Sequence, residues 1–374
     1  MQSLALPFFV SLIITMLILR FQHVHGKYTA DSDLTSVQKF HSRAVPRIGG
    51  LGIMVAMLAM VSWLFISHNT DATGFALLIL SSLPAFIGGM MEDCTKKVRS
   101  SIRLILTMIA AVLGFYLLDA GVFRLDVPFV DLVIAYWPVS LLFTMIAVGG
   151  VANAVNIIDG YHGLASMVSI LMFAALGYVG FLVGDTLIWR TSLAMMGAIL
   201  GFFVWNYPRG LIFLGDGGAY FIGFMLAELS VLLVARNPGV SPWFPLLVII
   251  YPVFETIFSI YRKVVLRNIP ADVPDGAHLH MLVYKRMVRW AVGSKAPKEK
   301  TTRNAMTSPY LWFLCSISVI PAMLFWRYVW LLQLCVLAFI VLYIVLYRRL
   351  VHFNAPRWLQ IKKSRQDSPD NELE

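Results

Sequence analysis

The sequence predicts an all-α, polytopic membrane protein, a bundle of about eleven transmembrane helices. Of the 374 residues, 59% are hydrophobic and only 13% are charged, and the mean hydropathy of +0.76 lies far above that of a soluble domain. The apolar residues form runs long enough to cross a bilayer. The basic residues gather in alternate loops between these runs, as the positive-inside bias requires.

Eleven apolar runs are expected to cross the membrane. The first is expected to be a retained span, because the residues before Arg20 carry neither a basic N-terminal region nor a cleavage site. We expect one integral membrane domain over 1–350 and a polar cytoplasmic tail over 351–374. The predicted spans lie at about 4–20, 48–67, 75–91, 104–118, 130–149, 164–183, 191–206, 217–235, 243–261, 309–325 and 329–347.

The basic residues also predict the orientation of the chain. If the N-terminus is outside, all but four of the 30 Lys and Arg residues fall on the inner face, the exceptions being Arg124, Arg190, Arg236 and Arg327. This partition predicts a periplasmic N-terminus and a cytoplasmic C-terminus. It also accounts for the formal charge of +10 without any nucleic-acid partner. The three cysteines predict no disulfide framework.

The first acidic motif is the pair Glu92 and Asp93, which follows the third run and precedes Lys96 and Lys97. Carboxylates can supply hard oxygen ligands or a base, and ammonium groups can take the charge of a phosphate. Taken alone, the motif fits equally well an ordinary basic loop with an incidental acidic pair.

A second motif contains no basic residue although it lies on the predicted inner face. Asn153 and Asn156 are three residues apart and share a helix face, and Asp159 and His162 follow them. Amides, a carboxylate and an imidazole gathered in this way indicate ligand binding. The alternative is a polar helix cap with turn glycines.

The third motif is a carboxylate flanked by glycines, Asp216, three residues after Phe213. Backbone N–H groups at a helix N-terminus favour anions, and Asp216 can hold a cation that bridges to phosphate oxygens. A plain N-cap aspartate is the alternative.

Further polar groups lie in the longest inner loop and within two spans. His278 and His280 have no Cys or carboxylate partner at a spacing typical of zinc, and the basic residues that follow them favour phosphate binding. Glu228 and Glu255 lie within apolar spans, where an ionisable group is a functional candidate. We expect Glu255 to support the site from a broken helix and Glu228 to pair with a polar neighbour.

Together these motifs resemble those of the polyprenyl-phosphate N-acetylhexosamine-1-phosphate transferases. The acidic pair, Asn-Ala-Val-Asn-Ile-Ile-Asp-Gly, Phe-Leu-Gly-Asp and His-X-His occur in that order, and Pro-Arg-Ile-Gly-Gly at 46–50 resembles the first cytoplasmic motif of the family. The resemblance covers residues from about 40 to 290. It identifies the integral domain as a transferase on the cytoplasmic face of the bacterial inner membrane.

The resemblance implies roles for individual residues. It implies Mg²⁺, with Mn²⁺ as a substitute, at Asp216 and Asn156, a base at Asp93 beside Glu92, and a nucleotide-site carboxylate at Asp159. The substrate-binding residues that it implies are Arg47, Lys96 near the phosphates, Asn153, His162, Phe213 stacked on uracil, His278 and His280.

Three departures refine this expectation. Glu92 replaces an aspartate, which is a mild change, and His162 stands where relatives often have an aspartate that contacts uracil. Met281 replaces a third histidine, which argues against the muramyl-pentapeptide branch.

We therefore expect transfer of an N-acetylhexosamine 1-phosphate, GlcNAc 1-phosphate first among them, from a UDP-sugar to undecaprenyl phosphate. The products are a lipid pyrophosphate sugar and UMP, at the start of cell-envelope polysaccharide synthesis of the O-antigen type. The expected partners are the two substrates, membrane lipid and a second copy in a homodimer. The rival is a secondary transporter with ion sites at Glu228 and Glu255. A second rival, a CDP-alcohol phosphotransferase, requires several aspartates spaced along one helix after an Asp-Gly pair. No such array follows Asp159 and Gly160.

Overall fold

The computed structural model describes residues 2–31, 45–270, 276–288 and 297–352, which are almost entirely helical. Beyond His352, the predicted tail lies outside the described residues. Ten helices are long and apolar enough to cross a membrane, which confirms the predicted all-α bundle. They are α1 (Gln2–Arg20), α3 (Gly49–Ile66), α4 (Ala72–Thr95), α5 (Ser100–Leu118), α7 (Trp137–Ile158), α8 (Leu164–Leu182), α9 (Thr186–Asn206), α10 (Gly215–Arg236), α14 (Pro297–Phe325) and α15 (Val329–Val351).

Shorter elements connect or interrupt these helices. Two-residue strands pair antiparallel, a small exception to the all-α class. The short elements are α2 (Gln22–Thr29), β1 (Ala30–Asp31), β2 (Val45–Pro46), α6 (Val130–Ile134), α11 (Trp243–Val248), α12 (Ile250–Tyr261), α13 (Leu279–Val283) and π-helical turns at Arg262–Leu266 and Tyr284–Val288.

The ninth predicted span is a broken helix. α11 and α12 meet at Ile249, between two prolines that cannot donate helical hydrogen bonds. Before α11, Ser241 N–H donates to Trp326 O (3.1 Å) at one end of α15. After α12, Arg262 Nη1 donates to Tyr347 Oη (3.2 Å) near the other end of α15. The broken segment therefore runs the length of α15 and is the eleventh crossing segment.

The predicted boundaries of the fifth span, 130–149, are wrong. Residues 130–134 form the separate short helix α6, and α7 begins at Trp137 with proline in its first turn, a position that tolerates the missing N–H. The helix then continues to Ile158. As a result, Asn153 and Asn156 lie on the last turns of a helix and not in a loop.

Helix α10 is the centre of the bundle. In its most apolar window 89% of the residues are buried, compared with 22% for α1 and for α15, which are peripheral. Glu228 on α10 is fully buried against Gly114 of α5. Its expected polar partner is absent: neither carboxylate oxygen has a hydrogen-bond partner among the described residues.

The broken segment makes the number of crossings odd, which predicts that reporters placed near the two ends report opposite faces. An alkaline phosphatase domain fused after Asn69 should be active in the periplasm, and the same domain fused after His352 should be inactive. Activity at both positions would show that 243–261 does not cross the membrane.

Candidate active site

Three of the sequence motifs come together at one end of the bundle. Helix α3 begins there, α4 ends there and α10 begins there, while α7 ends beside them. The alternation of helix direction therefore brings loops that are far apart in sequence to one face, as the sequence predicts.

The contact that joins two motifs is made by Asp93, whose side chain is almost completely buried. Its Oδ1 accepts the Asp216 N–H (2.9 Å) and its Oδ2 accepts the Gly217 N–H (2.8 Å). These N–H groups belong to the first turn of α10, where a helix provides no carbonyl acceptors for its own N–H groups. The carboxylate also lies at the positive end of the helix dipole. Asp93 therefore caps α10 and fixes the position of Asp216.

Two arginines surround the Asp216 carboxylate. Arg47 Nη2 lies 3.2 Å from Asp216 Oδ1, and Arg47 Nε lies 3.8 Å from Asp93 Oδ1. Arg103, in the first turn of α5, forms an ion pair with the other oxygen of Asp216. Two carboxylates and two guanidinium groups make a charge-balanced cluster, here called the Asp216 cluster (Arg47, Asp93, Arg103 and Asp216).

Backbone hydrogen bonds hold Arg47 in this cluster. Phe213 N–H donates to Pro46 O (2.9 Å), and Gly49 N–H donates to Phe213 O (3.0 Å). Gly215 has a φ of +77°, which favours glycine, and a side chain there would overlap the Arg47 carbonyl. The glycines of the Pro-Arg-Ile-Gly-Gly and Phe-Leu-Gly-Asp motifs thus allow the two segments to pack backbone against backbone.

Arg103 links the Asp216 cluster to the amide motif. Its guanidinium carbon lies 5.5 Å from the centre of the Tyr220 ring, and Tyr220 Oη donates to Asn153 Oδ1 (3.1 Å). Asn156 lies one turn closer to the end of α7 and is half-buried. Neither Arg103 nor Tyr220 was expected from the sequence. A single arginine in an apolar run at the inner face was the available signal for Arg103.

Asp159 ends α7 next to the Asp216 cluster. The carboxylate is partly accessible to solvent but is surrounded by densely packed protein, and this burial raises its pKa to about 7. The nearby Arg47 guanidinium acts in the opposite direction and lowers the pKa. Arg47 therefore acts electrostatically on three carboxylates, at Asp93, Asp159 and Asp216.

His162 is a buried residue behind Phe213. Its ring lies 6.0 Å from the half-buried Phe213 ring, and its Nδ1 lies 3.1 Å from Pro208 O. Its backbone N–H donates to Asn304 Oδ1 (2.7 Å) on α14. The structure thus gives His162 a supporting position, and a direct contact with substrate stays a prediction.

The histidine motif reaches the site through His280. The rings of His278 and His280 are parallel and 5.2 Å apart. The His280 ring lies 5.6 Å from the Tyr161 ring and packs beside Gly160, which follows Asp159. The fourth motif therefore adjoins the second one, as the sequence predicts.

Glu92 and Lys96 shape the turn after α4. Glu92 Oε2 accepts the Val98 N–H (2.7 Å), and the Lys96 N–H donates to Glu92 O (2.8 Å). Lys96 is exposed with a φ of +56°. The adjacent carboxylates Glu92 and Asp93 thus have different surroundings, and their proposed catalytic roles stay predictions.

Comparisons with known proteins bear on what this site does. A family model described as glycosyl transferase family 4 matches residues 75–234. A Bacillus subtilis protein, named a probable undecaprenyl-phosphate N-acetylglucosaminyl 1-phosphate transferase, is 27% identical over 252 residues, which is 66% of this chain and 68% of that protein. The chain is therefore similar to glycosyl transferase family 4 over residues 75–234.

Two further relatives carry two different enzyme names. A Thermotoga maritima undecaprenyl-phosphate alpha-N-acetylglucosaminyl 1-phosphate transferase is 28% identical over 71% of this chain and 77% of its own length. A Lactobacillus gasseri phospho-N-acetylmuramoyl-pentapeptide-transferase is 27% identical over 78% of this chain and 96% of its own length. The matched residues 75–234 include Asp93, Arg103, Asp159 and Asp216.

The donor set of this site suits a metal ion that is shared with substrate. Among the described residues, no group of three or more His, Cys, Asp or Glu side chains converges on one point. Asp216 and Asn156 offer hard oxygen atoms, and Mg²⁺ is commonly held by one or two carboxylates together with substrate phosphates and water. The residues present therefore fit such an ion, with the arginines that now lie on Asp216 available for the phosphates.

The capping role of Asp93 generates a prediction. An asparagine side chain presents one acceptor where two N–H groups need partners, so Asp93→Asn should lower the midpoint of thermal unfolding and lower turnover by about 10²–10⁴-fold. Glu92→Gln, which keeps the acceptor for Val98 N–H, should change both much less. A stable Asp93→Asn protein whose turnover recovers fully at pH 9 would show that proton transfer, and not capping, is the role of Asp93.

Proposed function

We propose that the protein transfers an N-acetylhexosamine 1-phosphate, GlcNAc 1-phosphate first among them, from its UDP-sugar to undecaprenyl phosphate and releases UMP. The names of the Bacillus subtilis and Thermotoga maritima relatives support this activity. The observation that carries the proposal is the Asp216 cluster, in which two guanidinium groups lie beside two carboxylates at one end of a membrane bundle that also contains an apolar groove. Such a place suits a reaction between a lipid phosphate and a soluble diphosphate.

The groove suits the chain of a polyprenyl lipid. It is a cavity of about 640 Å³ lined by apolar side chains of α7, α10, α11 and α12. Near its outer end lie Arg124 and Leu125, and near its inner end lie Gly150 and Val151. Val151 is two residues before Asn153, which hydrogen-bonds Tyr220 beside Arg103. We propose that a chain in this groove extends past Val151 and Asn153 and so carries its phosphate toward the Asp216 cluster.

The arginines address the main electrostatic obstacle to the reaction. Two phosphate groups repel each other, and the guanidinium groups of Arg47 and Arg103 can bind their oxygens in a bidentate manner. Mg²⁺ bound by Asp216 and Asn156 would polarise the phosphoryl oxygens and offset further charge. The lipid phosphate then attacks the β-phosphorus of the UDP-sugar in line, and UMP leaves.

Asp93 is proposed to accept the remaining proton of the lipid phosphate. Each of its oxygens accepts one backbone N–H and keeps a second lone pair for a proton.

The nucleotide is proposed to bind on the side of Phe213. This half-buried aromatic ring can stack on uracil, with His162 packed behind it. Asp159, His280 and the exposed Lys96 border the same face. A simple UDP-N-acetylhexosamine is favoured over UDP-MurNAc-pentapeptide because Met281 stands where the muramyl branch has a histidine.

We further propose that the reaction takes place on the cytoplasmic face of the bacterial inner membrane and begins a cell-envelope polysaccharide of the O-antigen type. UDP-sugars are cytoplasmic, and the basic loops beside the site favour that face. The transporter alternative receives no support from Glu255, because its carboxylate is occupied by His278, Leu279 and Tyr343.

The proposal predicts the products with a panel of donors. Purified protein with undecaprenyl phosphate and Mg²⁺ should release UMP from UDP-GlcNAc faster than from UDP-MurNAc-pentapeptide. UMP release should require the lipid phosphate and should stop when Mg²⁺ is chelated. Turnover of the pentapeptide donor alone would assign the protein to the muramyl branch.

The metal role predicts the effect of Asp216→Asn. The amide removes one negative charge from a hard-cation site, so turnover should fall by roughly 10³-fold or more, and binding of Mn²⁺, measured by electron paramagnetic resonance, should weaken. The control is Asp119→Asn, the same change at the end of α5 that lies away from Arg103 and the Asp216 cluster. Asp119 has a φ of +55°, a conformation that asparagine also adopts. Near-normal turnover and Mn²⁺ binding by Asp216→Asn would exclude Asp216 as a metal ligand.

A further inference from the structure

Glu255 is a buried carboxylate whose oxygens are saturated by donors from two other parts of the chain. Its Oε1 lies 2.9 Å from His278 Nδ1 and accepts the Leu279 N–H (3.1 Å). Its Oε2 accepts the Tyr343 hydroxyl (2.7 Å) from α15. A buried carboxylate with three donors is a well-satisfied anion.

These contacts determine the tautomer of His278. A carboxylate can only accept, so the His278 nitrogen that faces Glu255, Nδ1, carries a proton. Nε2 is then the ring nitrogen left for other partners. A phosphate oxygen can only accept as well, so binding of a phosphate at Nε2 requires a proton on that nitrogen too.

The same contacts hold the histidine motif against the nucleotide side of the site. The His278 ring stacks on His280, and His280 packs beside Gly160 and Tyr161. His162, two residues after Gly160, lies behind Phe213. A displacement of His278 would therefore reach the turn that follows Asp159 and, through His162, Phe213. Neither His278 nor His280 lines the apolar groove.

We propose that Glu255 and Tyr343 are positioning residues that orient His278 for the diphosphate of the UDP-sugar. The inference rests on the proposed function, and it gives the broken helix α12 and the last helix, α15, a part in donor binding. Tyr343 acts on His278 through Glu255. Because the helix is interrupted at Ile249, α12 is a separate helix from α11, and Glu255 on α12 contacts the histidine motif.

A matched control distinguishes positioning from a general contribution to stability. Glu228 on α10 is as completely buried as Glu255, but neither of its oxygens has a hydrogen-bond partner among the described residues. Glu228→Gln and Glu255→Gln thus make the same chemical change at equal burial. Only Glu255→Gln affects a hydrogen bond to His278.

The experiment measures steady-state kinetics with UDP-GlcNAc and undecaprenyl phosphate, and binding of UDP-GlcNAc by calorimetry in detergent. Glu255→Gln should raise the KM for UDP-GlcNAc and lower kcat/KM by roughly 10- to 100-fold, the range of a lost hydrogen bond to a charged group. Tyr343→Phe should lower kcat/KM for UDP-GlcNAc by roughly 2- to 10-fold. The KM for undecaprenyl phosphate and the kinetics of Glu228→Gln should stay unchanged.

A double-mutant cycle completes the test. If Glu255 acts through His278, Glu255→Gln should cost little more in the His278→Ala background, because the two effects are coupled. Additive losses, or equal losses from Glu255→Gln and Glu228→Gln, would overturn the positioning role. If Glu255→Gln does not fold, an unchanged KM in Tyr343→Phe overturns it. Failure of the unmodified protein to use any UDP-sugar would instead overturn the proposed function.

Discussion

The capping of α10 by Asp93 is the contact on which the rest of the site depends. Helix α10 is the most buried of the long helices, so its first turn lies at one end of a tightly packed core. The Asp93 carboxylate satisfies two N–H groups there and holds the end of α4 against the start of α10. Gly215 then lets the Arg47 segment approach the same turn. One hydrogen-bonded carboxylate thus brings three distant motifs within reach of a single phosphate.

The distribution of charge follows from the cost of unpaired ions near a bilayer. Three of the four arginines that the sequence places on the outer face lie beside carboxylates, and Arg327 lies over the Trp326 ring. The outer pairs are Arg190 with Asp71, Arg236 with Asp185 and Arg124 with Asp126. These four arginines thus serve structure, whereas Arg47 and Arg103 lie at the end of the bundle where substrate phosphates are proposed to bind.

Much of the fold could be predicted from the sequence, because apolar runs and loop charge report directly on the bilayer. The sequence also predicted the shared face of the motifs. A broken helix at Glu255 was also predicted, although the position of the break, Ile249, was not. The shift of α7 could not be predicted, since the apolar run begins with α6. The roles of Arg103 and Tyr220 depend on packing between α5, α7 and α10. The expectation of a polar partner for Glu228 was wrong, because its carboxylate packs closely against Gly114 of α5.

Arg47 and Arg103 balance the charge of Asp216, and we propose that a metal ion and substrate phosphates take over these charges when they bind. The most direct measurement is a crystal structure of the protein with UDP-GlcNAc and Mn²⁺, using anomalous scattering to locate the metal. The account predicts an anomalous peak beside the Asp216 carboxylate, with both guanidinium groups on phosphate oxygens and Asp93 still capping α10. A metal peak away from Asp216, with Arg47 and Arg103 still paired to the Asp216 carboxylate, would contradict the account.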